Sequence, residues 1–292
     1  MLTIMTATKP FVGHTGMIQR NALRSWTSLS PRPQIILFGN EAGISECAAE
    51  LGLHHLPEVV RNRHGTPLLA DIFAQAERVS GDELFAYVNG DIILTSEFMR
   101  ALTLVRRKFP AFLAVGRRTN LNVTTPIDFS TNWQEDLKAR ACREGVLDTH
   151  TGIDLFAFTR GTYREVPPLA IGRAWFDQWC IKYARVNGIP VVDVTRFVPS
   201  IHQLHDYGHV AGGRQWVYAG PEADENLALY GERPHTYTIF SATHGLTASG
   251  RIRRYFGRRQ YFAVRTVLWK LLVQRTLPFR SRLGLRRRAR TH

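Results

Sequence analysis

Cysteine is scarce in this chain: Cys47, Cys142 and Cys180 are the only three in 292 residues. They lie far apart, so neither a C-x-x-C metal pair nor a disulfide framework is indicated, and the odd number favours a reducing compartment. Long apolar runs are missing too. No stretch approaches the roughly 20 apolar residues that span a bilayer. The opening residues, Met1-Leu2-Thr3-Ile4-Met5-Thr6-Ala7-Thr8, are too polar and lack the cationic start of a secretory leader. The expected location is cytoplasmic. Neither G-x-G-x-x-G nor a Walker A sequence occurs, which counts against a dinucleotide oxidoreductase and a P-loop kinase. There is no internal repeat. Acid is absent from one region altogether: residues 251–292 contain 14 Lys/Arg and no Asp or Glu, whereas residues 1–250 contain 24 of each sign. A neutral body therefore carries a tail that holds the whole net charge of +14.

The body has ordinary content, 44% hydrophobic and 21% charged, and is long enough to bury a large core. Its first half alternates short apolar runs with helical patterns, which is the signature of α/β architecture. Strands are expected at Leu2–Ala7, Gln34–Phe38, around His54–Leu56, at Leu84–Val88 and at Phe112–Gly116. Between them run helices over Thr15–Leu29, a short one ending near Leu51, then Pro67–Val79 and Ser96–Phe109. This order implies a mostly parallel sheet covered on both faces. Residues 117–152 read as loops around one helix near Trp133–Glu144. Asp154–Phe158 and Pro190–Val194 read as strands, with a helix from about Ala174 to Val186 between them. Residues 210–250, rich in Gly, Pro and polar side chains, read as loops.

The strand Ala86-Tyr87-Val88 runs into Asn89-Gly90-Asp91 and then Ile92-Ile93-Leu94. A carboxylate inside an apolar strand is costly unless compensated, so Asp91 is expected where the strand leaves the sheet and faces a cleft. There Asn89 and Asp91 offer oxygen ligands to Mg²⁺ or Mn²⁺, and Gly90 admits a ligand close to the backbone. Asn-Gly-Asp is equally a turn sequence. His202-Gln203-Leu204-His205-Asp206-Tyr207-Gly208-His209 gathers three imidazoles, any of which can ligate a transition metal, although the spacing matches no standard zinc pattern and Gly208 argues against a regular helix. His202 and His205 are preferred over His209. In Gly172-Arg173-Ala174-Trp175-Phe176-Asp177-Gln178-Trp179, aromatic faces suit a sugar ring and Asp177 can accept a hydroxyl proton as general base. The plainer alternative is an acid at a helix start with Trp and Phe in the core. Thr6, Thr8 and Lys9 follow the first strand, where Lys9 can meet phosphate. Asn40 and Glu41 follow the second strand and can read a base or ribose. Asn62 and Gly65 precede a helix whose N-terminus can receive an anion.

Together, the segments ATKPF, QIILFGNE, RNRHGTPLLADIF and YVNGDIIL, followed by GIDLFAF, GRAWFDQW and HQLHDYGH, resemble GT-A type nucleotide-sugar glycosyltransferases over about residues 1–210. The resemblance implies a GT-A-like three-layer sandwich, with a donor half at about 1–116 and an acceptor half at about 117–250. It implies a nucleoside-diphosphate sugar as donor, a hydroxyl acceptor and a divalent metal. In that family a D-x-D motif binds metal and donor diphosphate; here Asn89 replaces its first acid, leaving Asp91 with His202 or His205. Asp154 and Trp175 would lie on the acceptor side, and Asp177 would match the base of inverting members. A nucleotidyltransferase on a related fold is the rival enzyme reading, and a non-enzymatic nucleic-acid binder acting through the tail is the rival of another class. In the tail, residues 251–292, cations interleave with Tyr, Phe and Trp, and Tyr261–Val273 reads as a short apolar helix. That combination favours a peripheral placement on an anionic membrane face over nucleic acid.

Overall fold

A computed structural model of the chain describes residues 1–130, 132–206, 213–231 and 236–255. In chain order the elements are β1 (Leu2–Ala7), α1 (Gly13–Thr27), β2 (Gln34–Phe38), α2 (Ile44–Leu51), β3 (His54–Leu56), α3 (Leu69–Val79), β4 (Leu84–Val88), β5 (Ile92–Ile93), α4 (Glu97–Lys108) and β6 (Leu113–Leu121). They continue with α5 (Trp133–Glu144), β7 (Val146–Leu147), β8 (Ile153–Thr159), α6 (Phe176–Val186), β9 (Val191–Asp193), β10 (Ser200–Gln203), α7 (Gly213–Ala219) and α8 (Pro221–Tyr230). A 3-10 turn at Ile239–Ser241 leads to β11 (His244–Leu246) and β12 (Ile252–Arg254).

The main sheet has the order β12-β11-β9-β6-β8-β4-β1-β2-β3. It is parallel through β4, β1, β2 and β3, and again through β6, β9 and β11; β8 runs antiparallel to both its neighbours. Side chains alternate faces along each strand. Ile35, Leu37, Ala86, Val88, Leu155 and Ala157 therefore pack under α1, α2 and α4, while Ile36, Phe38, Phe85, Tyr87, Phe156 and Phe158 pack under α3, α6 and α8. Two buried layers around one sheet make the α/β three-layer sandwich that the sequence implies. A smaller cluster, Ile93, Leu121, Val123, Trp133, Leu137 and Ile201, seats α5 over β5 and β10.

The chain visits β1, β2 and β3 in one direction and then returns to place β4 on the other side of β1. The loops after β1 and β4 therefore diverge and leave a crevice at their carboxyl ends, the usual ligand position in such sheets. β6 ties the second half to this crevice. It bends at a bulge between Gly116 and Arg117, leaves the main sheet, and pairs its polar end with β10 and β7.

Two expectations change. The strand expected to stop at Gly116 runs on to Leu121, because pairing on both sides satisfies its polar backbone without an apolar face. Residues 210–250 are not mainly loops: they hold α7, α8, the 3-10 turn and β11. The Pro and Gly that suggested loops are helix punctuation, with Pro221 in the first turn of α8 and Gly231 at its C-cap. Ile252–Arg254 joins the sheet edge through β11. The expected tail helix at Tyr261–Val273, and His209, lie outside the described residues.

Candidate active site

A cleft of about 700 Å³ opens at the carboxyl ends of β1 and β4, and Thr8, Lys9, Glu41, Gly65, Asn89, Gly90, Asp91, Asp154, Trp175, Asp177, His202 and His205 line it. Twelve of the residues singled out from sequence thus meet in one cavity, although they come from seven separate segments. Thr6, Asn40 and Asn62 do not line it. Thr6 is buried beneath the cleft floor and Asn40 is exposed. Asn62 serves its own loop: its Oδ1 accepts from the backbone N–H of His64 and Thr66, and its Nδ2 donates to Glu222 Oε1 at 2.8 Å.

Asp91 is held by its backbone. Its carbonyl accepts from Gln203 Nε2 at 3.1 Å, and Gln203, fully buried, in turn donates to the Ile18 carbonyl of α1 and accepts from Asn21 Nδ2. Gly90 allows the turn to lie close to β1, since a Cβ there would come within 3.1 Å of Thr8 Cγ2. The Asp91 carboxylate then faces two imidazoles. His205 Nε2 stands 3.1 Å from Asp91 Oδ2 and His202 Nε2 3.8 Å from the same oxygen. Asp91 Oδ1 is buried without a hydrogen-bond partner among the described residues.

The neighbours decide which nitrogen of each ring is protonated. Asn120 Nδ2 donates to Asp148 Oδ2 at 3.1 Å, which turns Asn120 Oδ1 toward His202 Nδ1 at 2.8 Å. That nitrogen must carry the hydrogen, so His202 Nε2 presents its lone pair to the cleft. Burial pushes the His202 imidazole down, against the opposing pull of Asp91. His205 Nδ1 donates to the Asp206 carbonyl, and its Nε2 also faces Asp91. One orphan carboxylate oxygen and two oriented imidazole nitrogens fit a divalent cation, and their ligand atoms lie within 4.8 Å of one another. Two nitrogen donors suit Mn²⁺ better than Mg²⁺, which prefers oxygen. Burial would raise the Asp91 carboxyl, but His202, His205 and Lys9 outweigh it and hold it well below the usual carboxylate range.

His202 sits on β10 rather than in a helix, as Gly208 suggests for this segment; β10 brings it level with Asn120 of β6 and Ile92 of β5. Asn89 does not turn toward Asp91. Its Nδ2 donates to Asp154 Oδ1 at 2.8 Å, and the other oxygen of Asp154 takes Arg118 Nη1 at 2.7 Å. Asp154 is therefore neutralised in place. Arg118 also grips Asp148 at 2.7 Å, so one buried guanidinium joins β6, β8 and the loop before β8.

On the opposite wall, Asp177 lies in the first turn of α6. Burial raises its carboxyl to about 7, aided by Asp154, while the backbone N–H groups of Gln178 and Asp177 pull the other way. Two residues earlier, Trp175 has a φ of 84°, a left-handed conformation costly for a bulky side chain. Its backbone N–H donates to Gln178 Oε1 at 2.9 Å and its ring packs on Tyr230 with centroids 5.4 Å apart. Phe176 and Trp179 fill the core, as the plainer alternative has it.

Sequence reasoning misses Arg118, Asn120 and Asp148, which lie in a stretch that reads as loop. The signal available was the alternation Arg118, Asn120 along a continuing strand. It also misses Arg173, which pairs with the buried Glu222 at 2.6 Å on the cleft rim.

No family model and no curated protein matches the chain. Solved structures do. A putative nucleotide-diphospho-sugar transferase from Desulfovibrio desulfuricans G20 is similar at 13% identity over 78% of this chain and 96% of its own, with a TM-score of 0.43. A mannosyltransferase from Pyrobaculum calidifontis, in complex with GDP-Man and Mn²⁺, is similar at 12% identity over 71% and 58%, with a TM-score of 0.43. A cytidylyltransferase from Leptospira borgpetersenii is similar at 11% identity over 54% and 60%, with a TM-score of 0.34. The chain thus spans about three fifths of the last two proteins.

Proposed function

We propose that the protein transfers a sugar from a nucleoside-diphosphate donor to a hydroxyl acceptor with inversion at the sugar carbon. One observation carries this reading: a cation-ready cluster of Asp91, His202 and His205 and a carboxyl raised to about 7, Asp177, line one cleft. Asp91, His202 and His205 would hold the divalent cation. When bound, such an ion neutralises charge developing on a leaving diphosphate. Lys9, Thr8 and Gly90 line the floor on which the diphosphate would lie, with Glu41 toward the nucleoside end. In the transfer itself the acceptor oxygen bonds to the sugar carbon as that carbon's bond to the diphosphate oxygen breaks. The electron pair leaves with the diphosphate, and the hydroxyl proton goes to Asp177. A general base with a value near the working pH combines the correct protonation state with good driving force. A retaining transfer needs no such base.

The test is a thermal-shift screen of UDP, GDP, CDP and dTDP, each with and without Mn²⁺, followed by turnover of the matching nucleotide-sugar. Metal-dependent stabilisation by one nucleotide is expected, and Asp91→Ala should abolish the metal dependence. Full activity in Asp91→Ala would overturn the role given to the metal site. A cation directly after β1 favours the nucleotidyltransferase as second reading; release of pyrophosphate from a nucleoside triphosphate would identify it.

A further inference from the structure

Lys9 leaves β1 at the centre of the cleft, and its position bears on how a cation could enter. Its Nζ lies 3.5 Å from His205 Nε2. His205 Nδ1 already donates to the Asp206 carbonyl, so Nε2 is the nitrogen that faces the cleft, and it stands between Asp91 Oδ2 and the lysine ammonium, a donor with no acceptor capacity. The nitrogen that would ligate a metal therefore has a lysine ammonium beside it. Asp91 Oδ2 is 3.1 Å from the same nitrogen, and Asp91 and Asp154 are the leading carboxylates acting on the ammonium. Lys9 is thus the resident counter-cation of the cluster.

The backbone at Lys9 cannot carry this charge away. Its N–H donates to Gln19 Oε1 at 2.7 Å and its carbonyl accepts from Gln19 Nε2 at 2.9 Å, a two-point clamp from α1. Only the side chain can move, and the space open to it is the cleft it lines. A divalent ion held by His205 Nε2 and Asp91 and an ammonium beside His205 would repel at close range in a poorly screened site.

We infer that Lys9 occupies the cation site when the donor is absent and moves onto the donor phosphates when they arrive, so that tight metal binding is conditional on the nucleotide. This rests on the proposed donor site and names a gating residue within it. Phosphate oxygens supply the charge that draws the ammonium away from His205, and the vacated nitrogen then takes the metal. By linkage, each ligand must tighten the other by the same factor.

The experiment measures Mn²⁺ binding by calorimetry and by electron paramagnetic resonance of the free ion, in the wild type, Lys9→Met and Lys9→Gln, without nucleotide. Removing the competing charge should tighten Mn²⁺ by about tenfold or more. Adding Asp91→Asn to either variant should abolish that binding, which locates it. With UDP, GDP, CDP or dTDP present, wild-type Mn²⁺ affinity should rise with one nucleotide, and the rise should shrink in both Lys9 variants. Unchanged or weaker Mn²⁺ binding in two folded variants overturns the inference while leaving the proposed function standing, provided the wild type binds nucleotide and metal together. Failure of the wild type and both variants to bind either ligand overturns both.

Discussion

Asp177 and Asp91 are carboxylates in one cleft, yet their surroundings move them in opposite directions. At Asp177 burial outweighs the pull of Arg118 and the helix N–H groups and raises the carboxyl to about 7; Asp91 has three basic neighbours that outweigh the same effect. If Asp177 is the base, the rate should rise with pH through a step near 7, and Asp177→Asn should lower turnover by about 10²–10⁴-fold with little change in nucleotide binding. Rate profiles of the two proteins check this; a profile flat from pH 5 to 9 would remove Asp177 from the chemistry. The same shift has a stability consequence of fixed sign. The folded chain keeps a proton that the unfolded chain has lost, so the contribution is full below about pH 4 and vanishes as pH rises through 7. Asp177→Asn, neutral throughout, should therefore melt above the wild type at pH 8 by several degrees, and the gap should close toward pH 4.

Among the elements, α1 and β10 do the most to position the cleft, and their contribution was only half visible in the sequence. The inward face of α1 follows from its helical spacing, and Ile18, Ala22 and Trp26 are indeed buried. That Asn21 and Gln19 on the same helix are buried and polar could not be read from periodicity, because their partners, Gln203 and the Lys9 backbone, come from other elements. Gln203→Leu keeps the volume but removes the amide that accepts from Asn21 Nδ2 and donates to the Ile18 and Asp91 carbonyls. The expected cost is about 1–3 kcal/mol, seen as a lower denaturant midpoint. Mn²⁺-dependent stabilisation should fall as well, because the carbonyl of Asp91 loses a donor. Normal metal response in a destabilised Gln203→Leu protein would mean that the Asp91 turn holds itself.

For the molecule as a whole, strands bounded by Pro and Gly were legible from β1 to β4, and so was the placement of Asp91 at the end of one of them. β6 beyond Gly116 was not, since its stability comes from two partner strands rather than from its own side chains. No helix among the described residues is long and apolar enough to cross a membrane. The proposed peripheral membrane contact rests on the basic tail, which lies almost wholly beyond the described residues. The sheet sets where it can be cut. Ending the chain after residue 255 keeps β12, whereas ending it after 250 removes an edge strand paired with β11 and the Tyr255 hydroxyl that reaches Asp193. The longer truncation product should retain its melting temperature and nucleotide response but stop co-sedimenting with vesicles rich in anionic lipid; the shorter one should melt lower. Undiminished vesicle binding by residues 1–255 would exclude the tail as the membrane element.

The hydrogen bond from Asn89 to Asp154 constrains which residue position 89 can accept. An aspartate at 89 would set two carboxylates face to face at about that separation, with only Arg118 to share between them. Asn89→Asp alone should therefore weaken the fold and add nothing to metal binding, whereas the exchange of both residues, Asn89→Asp with Asp154→Asn, should restore stability. Comparing the three variants by melting temperature would measure that coupling. The two positions form an epistatic pair: a mutational path between the asparagine and aspartate forms is open only through residue 154, so the order of changes matters as much as their identity.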